Sequence, residues 1–170
     1  MHRESPHAFS SSHSFWRWLS LSLVLVIIDQ VSKLKVAFML PLHDRIEVTP
    51  FFDLVHTLNL GAAFSFLANA GGWQRHFFTL LGLLVSFFLI FLLWRGVRSR
   101  LETLAYVFIV AGALGNVVDR LRIGAVIDFL DFHWYGMHWP AFNSADCFIV
   151  MGVGIMVFTS LMRQGHKEDV

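Results

Sequence analysis

The amino-acid sequence predicts an α-helical membrane protein with four transmembrane helices and a small β-rich platform between the first two helices. Hydrophobic residues make up 56% of the 170 residues, with 18 phenylalanines and a mean hydropathy of +0.61. Apolar runs of membrane-spanning length recur along the chain. One domain of this length cannot bury that much apolar surface internally, so we expect a bilayer to be its solvent.

Four apolar runs divide the chain. We expect a single membrane domain at residues 15–163, with helices at about 15–40, 77–94, 101–118 and 142–162, since about 20 apolar residues cross a bilayer. Residues 1–14, rich in Ser and His, are predicted to be a disordered tail, and 164–170 a short charged tail. The first run leads into a polar stretch from Asp29 to Lys33 rather than into a small-residue cleavage site. This pattern favours a retained helix over a secretory signal peptide.

The segment between the first two helices is too polar to cross a membrane. Residues 45–48 and 53–60 alternate imperfectly between apolar and polar, which is typical of short half-buried strands. Residues 62–70 are predicted to form a short helix. Together these elements would form the β-rich platform on the membrane surface.

The distribution of basic residues predicts the orientation. The short loop after the second helix holds Arg95, Arg98 and Arg100 and no acidic residue. Short loops with excess Lys and Arg stay in the cytoplasm, so both termini are expected there. Segments 41–76 and 119–141 then lie on the outer side. The net charge of +1 gives no reason to expect a nucleic-acid partner.

Polar groups concentrate at one level of this apolar chain. Gly112, Asn116, Asp119 and Arg120 are spaced i, i+4, i+7 and i+8, so one helix face carries them. At ~1.5 Å of rise per residue, the polar residues of the first and third helices reach the outer half of the bilayer. The fourth helix enters from that side. Ionisable groups at membrane depth are costly and usually functional.

Asp128 and Asp146 are the candidate reacting pair. Two carboxylates close together cannot both ionise easily, so one keeps a proton and the site holds an acid and a base at neutral pH. Such a pair can activate a water and protonate a peptide carbonyl, so we expect no metal and no organic cofactor. Other polar residues would form ion pairs. Asp29 and Lys33 are spaced i, i+4 and can pair on one helix face. Asp119 and Arg120 are expected to form a second structural ion pair.

Several alternatives stay open from the residues alone. Asn143 has the pattern of a helix N-cap, with Asp146 in the first turn favoured by the helix dipole. Gly112 and Gly115 are typical of close helix packing. His133 and His138, with Asp128 and Asp131, could ligate a metal, although His-x4-His matches no clear template. Cys147 could be a nucleophile but has no base at fixed spacing.

Two other classes of protein remain. A proton-coupled transporter needs polar groups near the membrane midplane and access to both sides. The second helix and the inner halves of the other helices offer no ionisable residues for such a path. A scaffold protein would not explain three converging aspartate-bearing segments.

Five blocks occur in order between residues 29 and 146: Asp29-Gln-Val-Ser-Lys33, Asn59-Leu-Gly-Ala-Ala-Phe-Ser65, Gly112-Ala-Leu-Gly-Asn-Val-Val-Asp-Arg120, Val126-Ile-Asp-Phe129 and Phe142-Asn-Ser-Ala-Asp146. Together they closely resemble the bacterial lipoprotein signal peptidase (signal peptidase II) family of intramembrane aspartic peptidases. Any one block alone would be a weak signal.

The resemblance implies a multi-pass enzyme of the bacterial inner membrane, with its active site near the periplasmic face and a periplasmic β-rich platform. It implies cleavage of prolipoproteins before the diacylglyceryl-modified cysteine of the lipobox, with membrane lipids as further partners and an undetermined oligomeric state. Asp128 and Asp146 fall on the family's catalytic pair. The supporting residues fall on Asp29, Lys33, Asn59, Gly112, Asn116, Asp119, Arg120 and Asn143.

Overall fold

A computed structural model describes residues 12–61, 72–97 and 99–168 of the chain. The described helices are α1 (Ser12–Met39), α2 (Trp73–Arg95), α3 (Arg100–Ile123) and α4 (Ser144–Glu168). The strands are β1 (Arg45–Thr49), β2 (Phe52–Asn59), β3 (Val126–Trp134) and β4 (Met137–His138). The predicted helix at 62–70 and most of the predicted N-terminal tail lie outside the described residues.

The helix α3 is the centre of the helical part, because α1, α2 and α4 each pack mainly against it. Small residues allow the close approach. A Cβ added at Gly112 would collide with the Ala145 carbonyl oxygen, and one at Gly152 would come within 2.7 Å of the Ala105 carbonyl oxygen. The prediction that Gly112 serves close helix packing is therefore confirmed.

Within the described residues, three helices are long and apolar enough to cross a bilayer: α2, α3 and residues 144–164 of α4. The helix α1 has 28 residues, about 42 Å at ~1.5 Å per residue, but it carries Arg17, Asp29, Lys33 and Lys35. Length and composition thus support three of the four predicted spans.

The strands form one antiparallel sheet in the order β1-β2-β3-β4. The predicted strands at 45–48 and 53–60 are confirmed as β1 and β2. The expectation that the platform lies wholly between the first two helices was wrong, since β3 and β4 connect α3 to α4. The first four residues of β3 are all buried. Such a strand lacks the apolar–polar alternation by which exposed strands are recognised.

The end of α3 also differs from the prediction. The helix was expected to end near residue 118, but it continues to Ile123 and ends at Gly124. Gly124 has φ +81°, a left-handed conformation that suits glycine, and its N–H donates to the Arg120 carbonyl oxygen at 3.1 Å. Asp119 and Arg120 are consequently held on a rigid helix.

Candidate active site

The predicted polar residues meet where the helices join the sheet. Five elements contribute: α1 carries Asp29 and Lys33, β2 carries Asn59, α3 carries Asn116, Asp119 and Arg120, β3 carries Asp128, and α4 carries Asp146, with Asn143 directly before it. All are buried except Asp146, which is partly exposed. Because buried polar groups are costly unless they are paired, their hydrogen bonds determine what this cluster does.

The Asp128 carboxylate lies in β3 between two asparagine amides. Its Oδ1 accepts a hydrogen bond from Asn143 Nδ2 at 2.6 Å, and its Oδ2 accepts one from Asn59 Nδ2 at 3.0 Å. The side chain is almost fully buried. Both oxygens are therefore held in place by neutral donors rather than by a cation.

The Asp146 carboxylate lies in the first turn of α4. Its Oδ1 accepts from Asn116 Nδ2 at 2.9 Å, and its Oδ2 accepts from the Asn143 N–H at 3.3 Å. In return, the Asp146 N–H donates to Asn143 Oδ1 at 3.1 Å. This reciprocal pair is a capping box, so the N-cap interpretation of Asn143 is confirmed.

Capping does not exclude a role in the site, because the two ends of the Asn143 amide have different partners. A backbone N–H can only donate, so the Asp146 N–H requires Oδ1 of Asn143 to face it. The Asn143 NH₂ group must then face Asp128. One residue thus connects the two candidate aspartates.

The same logic determines the orientation of the other two amides. Asn59 Oδ1 accepts from the Gly61 N–H at 2.9 Å, and Asn116 Oδ1 accepts from Lys33 Nζ at 2.9 Å. Each amide therefore presents its NH₂ group to a carboxylate, Asn59 to Asp128 and Asn116 to Asp146. In all three asparagines, a donor binds the amide oxygen and so turns the NH₂ group towards an aspartate. The donors are the Asp146 N–H, the Gly61 N–H and Lys33 Nζ.

Lys33 lies beneath this layer and is fully buried. Its Nζ contacts Asp29 Oδ2 at 2.9 Å, Asp119 Oδ2 at 3.1 Å and Asn116 Oδ1 at 2.9 Å. Three acceptors match the three protons of an ammonium group. The predicted Asp29–Lys33 pair is confirmed, and Lys33 also acts on Asp146 through Asn116.

The predicted Asp119–Arg120 ion pair was wrong. The ion pairs of Asp119 are with Lys33 and, at 3.7 Å, with Arg122. Neighbouring helix residues point about 100° apart, so the two side chains diverge. Arg120 instead donates to the Gly61 carbonyl oxygen at 2.7 Å and lies 5.5 Å from the centre of the Phe78 ring. It holds the chain just after β2, where Asn59 is anchored.

Sequence reasoning missed Gln30 and Ser144 as individual contributors. Gln30 Nε2 donates to Gly115 O at 3.1 Å and to Asp119 Oδ1 at 3.0 Å, which joins α1 to α3. Ser144 Oγ donates to Asp29 Oδ1 at 2.6 Å. The Ala145 N–H donates to the same Asp29 oxygen at 2.9 Å, so a carboxylate of α1 binds the N-terminus of α4. Gln30 and Ser144 lie inside the family-like sequence blocks, each directly after a predicted site residue. That position was the signal in the sequence by which they could have been found.

Comparison with known proteins decides the family. The profile described as signal peptidase (SPase) II matches residues 21–162. The chain belongs to the signal peptidase II family. A protein named lipoprotein signal peptidase from Aeromonas hydrophila is 50% identical over 156 residues, covering 91% of this chain and 93% of that one. A second protein named lipoprotein signal peptidase, from Janthinobacterium sp., is 46% identical over 92% of this chain and 95% of its own length.

Solved structures agree with the family assignment. One chain, described as a bacterial membrane enzyme, superposes with a TM-score of 0.80 at 27% identity and 96% coverage of both chains. A second with the same description has a TM-score of 0.73 at 28% identity, covering 93% of this chain and 98% of its own. This signal peptidase II is therefore a membrane peptidase, and the transporter and scaffold alternatives are removed.

His133 and His138 each lie against a carboxylate outside the aspartate cluster. His138 Nδ1 lies 2.8 Å from Asp131 Oδ2, and His133 Nε2 lies 3.2 Å from Asp53 Oδ1. Over the part of the chain that the structure describes, no three His, Cys, Asp or Glu side chains are grouped as metal ligands would be. Asp128, the fourth residue of the metal hypothesis, is engaged by amides instead.

The environment of Asp128 in signal peptidase II favours its protonated form. Burial raises the pKa of Asp128 to about 7, and the nearby negative charge of Asp146 adds to the effect. Hydrogen bonds from Asn143 and Asn59, and the positive charge of Lys33, lower the pKa of Asp128 and offset part of the rise. Asp128 therefore keeps its proton to a higher pH than an exposed aspartate would.

Proposed function

We propose that Asp128 and Asp146 are the catalytic acid–base pair of this signal peptidase II. The observation that carries the proposal is the shared support. Asn143 donates to the Asp128 carboxylate from its side-chain amide and to the Asp146 carboxylate from its backbone N–H, and Asn59 and Asn116 each donate to one of the two. Paired carboxylates with a pKa near neutrality are what acid–base catalysis at pH 7 needs. Asp29 and Asp119 are instead paired with Lys33, which suits a supporting role.

The proposed reaction uses one proton shared by the pair. The ionised carboxylate removes a proton from water, and the resulting hydroxide attacks the scissile carbonyl carbon. The protonated carboxyl gives its proton to the carbonyl oxygen. When the tetrahedral intermediate collapses, the C–N bond breaks and the leaving amine takes a proton from one carboxyl. The other carboxylate takes a hydroxyl proton from the intermediate, so the product is a carboxylic acid and the pair again holds one proton. The two titrations then belong to the dyad as a unit.

The proposed substrates are prolipoproteins, cleaved before a diacylglyceryl-modified cysteine. The relatives named lipoprotein signal peptidase support this assignment. The candidate pair lies at the sheet end of the helices, so a lipid-anchored cysteine at headgroup level would meet it. No metal or organic cofactor takes part in the proposed chemistry.

We further propose that α1 is the fourth span, although its composition includes four charges. Asp29 and Lys33 are fully buried and paired with each other, so lipid does not meet their charge. Arg17 and Lys35 lie near opposite ends of the helix, where long basic side chains can reach the interface. The lipid-facing residues between them include Leu23, Val24 and Ile27.

Four crossings place both ends of the protein on the side opposite the sheet. The Arg163–Glu102 ion pair, 2.5 Å long, joins the last part of α4 to the start of α3 at that end. The loop with Arg95 and Arg100 lies there too, which by the positive-inside rule is the cytoplasm. The active site then lies near the periplasmic face of the inner membrane.

The decisive experiment compares Asp128→Asn and Asp146→Asn with Asp131→Asn in vesicles containing a diacylglyceryl-modified precursor. An amide keeps the shape but cannot exchange protons, so each of the first two variants should lose several powers of ten in turnover. Asp131 lies on the same strand but pairs with His138, so its variant should retain activity. Near-normal turnover by a folded Asp128 or Asp146 variant would remove that residue from the dyad.

The lipid requirement has its own test. Two acyl chains hold the cysteine at a fixed depth, since each buried CH₂ adds roughly 0.8 kcal/mol to anchoring. We expect the modified precursor to show a much higher kcat/KM than its unmodified form in the same lipid. Equal kcat/KM values for the two forms would mean that the site recognises the peptide and not the lipid.

A further inference from the structure

The pairing of β2 with β3 has an irregularity directly beside Asp128. Leu54 lies opposite Leu130, so a regular antiparallel ladder would place His56 opposite Asp128. The register shifts between Leu54 and Thr57, and Thr57 takes that place instead. The shift is a β-bulge, in which β2 holds one extra residue. A shift of one residue exchanges the two sides of a strand, so the bulge decides which side chains of β2 face the site.

The bulge is held by the turn between α1 and β1. The His56 N–H donates to the Asp44 carbonyl oxygen at 3.1 Å, and the His43 N–H donates to the His56 carbonyl oxygen at 2.8 Å. The His56 Nδ1 atom contacts the Leu40 carbonyl oxygen, just after α1, at 2.8 Å. His43 has φ +70°, a left-handed conformation that is uncommon outside glycine. The fold therefore builds this bulge with its own contacts and with local backbone strain, a combination that is frequent beside functional sites.

A hydrogen bond shows which side of β2 faces Asp128. Thr57 and Asn59 are two residues apart and share a side of the strand. Asn59 Nδ2 donates to Asp128 Oδ2 at 3.0 Å, so that side is the one that meets the candidate active site. Residues directly opposite each other in an antiparallel pair have Cβ atoms about 4.5–5.5 Å apart. The Thr57 side chain consequently lies next to that of Asp128.

The Thr57 hydroxyl differs from the amides around it. The side-chain amides of Asn59, Asn116 and Asn143 each have a partner at the oxygen and another at the NH₂ group. Among the described residues, no group forms a hydrogen bond with the Thr57 hydroxyl, and Thr57 is partly exposed. A hydroxyl can donate one hydrogen bond and accept two. Thr57 thus brings an available donor and acceptor to the edge of the candidate pair.

A peptide bound at the candidate pair needs partners for its own backbone. Its scissile carbonyl must come within hydrogen-bond reach of the acid and the base, so a neighbouring peptide group passes Thr57. A peptide N–H or C=O that leaves water without a new partner costs free energy. The Thr57 hydroxyl can supply that partner, whereas the three amides are already engaged.

We propose that Thr57 is a substrate-contact residue of this signal peptidase II, and that its hydroxyl binds a backbone group of the precursor next to the scissile bond. The inference rests on the proposed function, because Asp128 places the scissile bond near Thr57. The β-bulge makes the contact possible, since a regular β2 would present His56 at this position.

The test compares Thr57→Val with Thr57→Ser on a diacylglyceryl-modified precursor in vesicles. Valine keeps the β-branched shape without the hydroxyl, and serine keeps the hydroxyl. Loss of one neutral hydrogen bond, made equally in the ground and transition states, should raise KM about 3- to 10-fold in the valine variant and leave kcat unchanged. The serine variant should keep the wild-type KM. Thr49→Val is the matched control, because β1 is separated from β3 by β2, and it should change neither constant.

Three results would overturn the inference. The first is a wild-type KM in a Thr57→Val protein whose thermal unfolding shows it to be folded. The second is an equal loss in the valine and serine variants, because the side-chain shape would then be the cause. The third is a lower kcat with a shifted pH–rate profile, because the hydroxyl would then act on Asp128 rather than on the precursor.

Asp128→Asn in the same assay separates this inference from the proposed function. Turnover by that variant would overturn the dyad and the Thr57 contact together. A wild-type KM in Thr57→Val beside an inactive Asp128→Asn would overturn the Thr57 contact alone.

Discussion

The double role of Asn143 can be separated by comparing Asn143→Ser with Asn143→Ala. Serine is a good N-cap, and its hydroxyl can still accept the Asp146 N–H, but it is too short to reach Asp128 as well. Alanine loses both contacts. The two variants therefore share the loss at Asp128 and differ at the helix cap.

The magnitudes follow from the two bonds. The 2.6 Å contact to Asp128 is a hydrogen bond to a titrating carboxyl, worth about 1.5–3 kcal/mol. If that stabilisation acts in the transition state, both variants should lose roughly 10- to 150-fold in kcat/KM. Loss of the cap should make the alanine variant less stable than the serine variant by about 0.5–2 kcal/mol.

The assay has three readouts: kcat/KM on a modified precursor, unfolding in one detergent, and the pH–rate profile. The Asn143 hydrogen bond lowers the pKa of Asp128, so its removal should shift the alkaline limb to higher pH in both variants. Wild-type kcat/KM in the serine variant would refute the contact with Asp128. Equal stability of the two variants would refute the capping argument.

Three further outcomes are expected. The wild-type rate should fall as the pH rises through about 7, because Asp128 then loses the proton that the pair shares; a flat profile from pH 6 to 9 would contradict this. Gly115→Ala should destabilise the protein by about 1–3 kcal/mol, since the new Cβ would lie 2.5 Å from Oδ2 of the buried Asp29. Gly154→Ala is the control: its Cβ would meet open space, so its thermal unfolding should match that of the wild type. Asp119→Asn should cost about 3–5 kcal/mol of stability by leaving Lys33 undercompensated, so a fully stable but inactive variant would make Asp119 a catalytic candidate.

Some features of the site could be predicted because they depend on spacing alone. Asp29 and Lys33 pair because residues four apart on a helix are neighbours wherever the helix lies. Asn143 caps α4 because the pattern of a capping residue and an acid three positions later is local. The strands β1 and β2 were recognisable from alternation.

Other features depend on chain segments that are far apart in the sequence. The partner of Asp119 is Lys33, 86 positions earlier, rather than the adjacent Arg120, because α1 packs on α3 with these faces together. The strand β3 was missed because burial on both sides removes its alternation. The contribution of Gln30 likewise required the contact between α1 and α3.

The sequence by itself determined the apolar helices from composition and the five ordered blocks from their motifs. The resemblance carried by those blocks then singled out the two candidate aspartates. Only the tertiary structure decided how the amides are oriented. Asn116 presents its NH₂ group to Asp146 because Lys33, from another helix, occupies its oxygen, and Asn59 does the same for Asp128 because of the Gly61 N–H. A side-chain amide can rotate so that either its NH₂ group or its oxygen faces a carboxylate. Which of the two does so depends on the group that tertiary packing places against its other end.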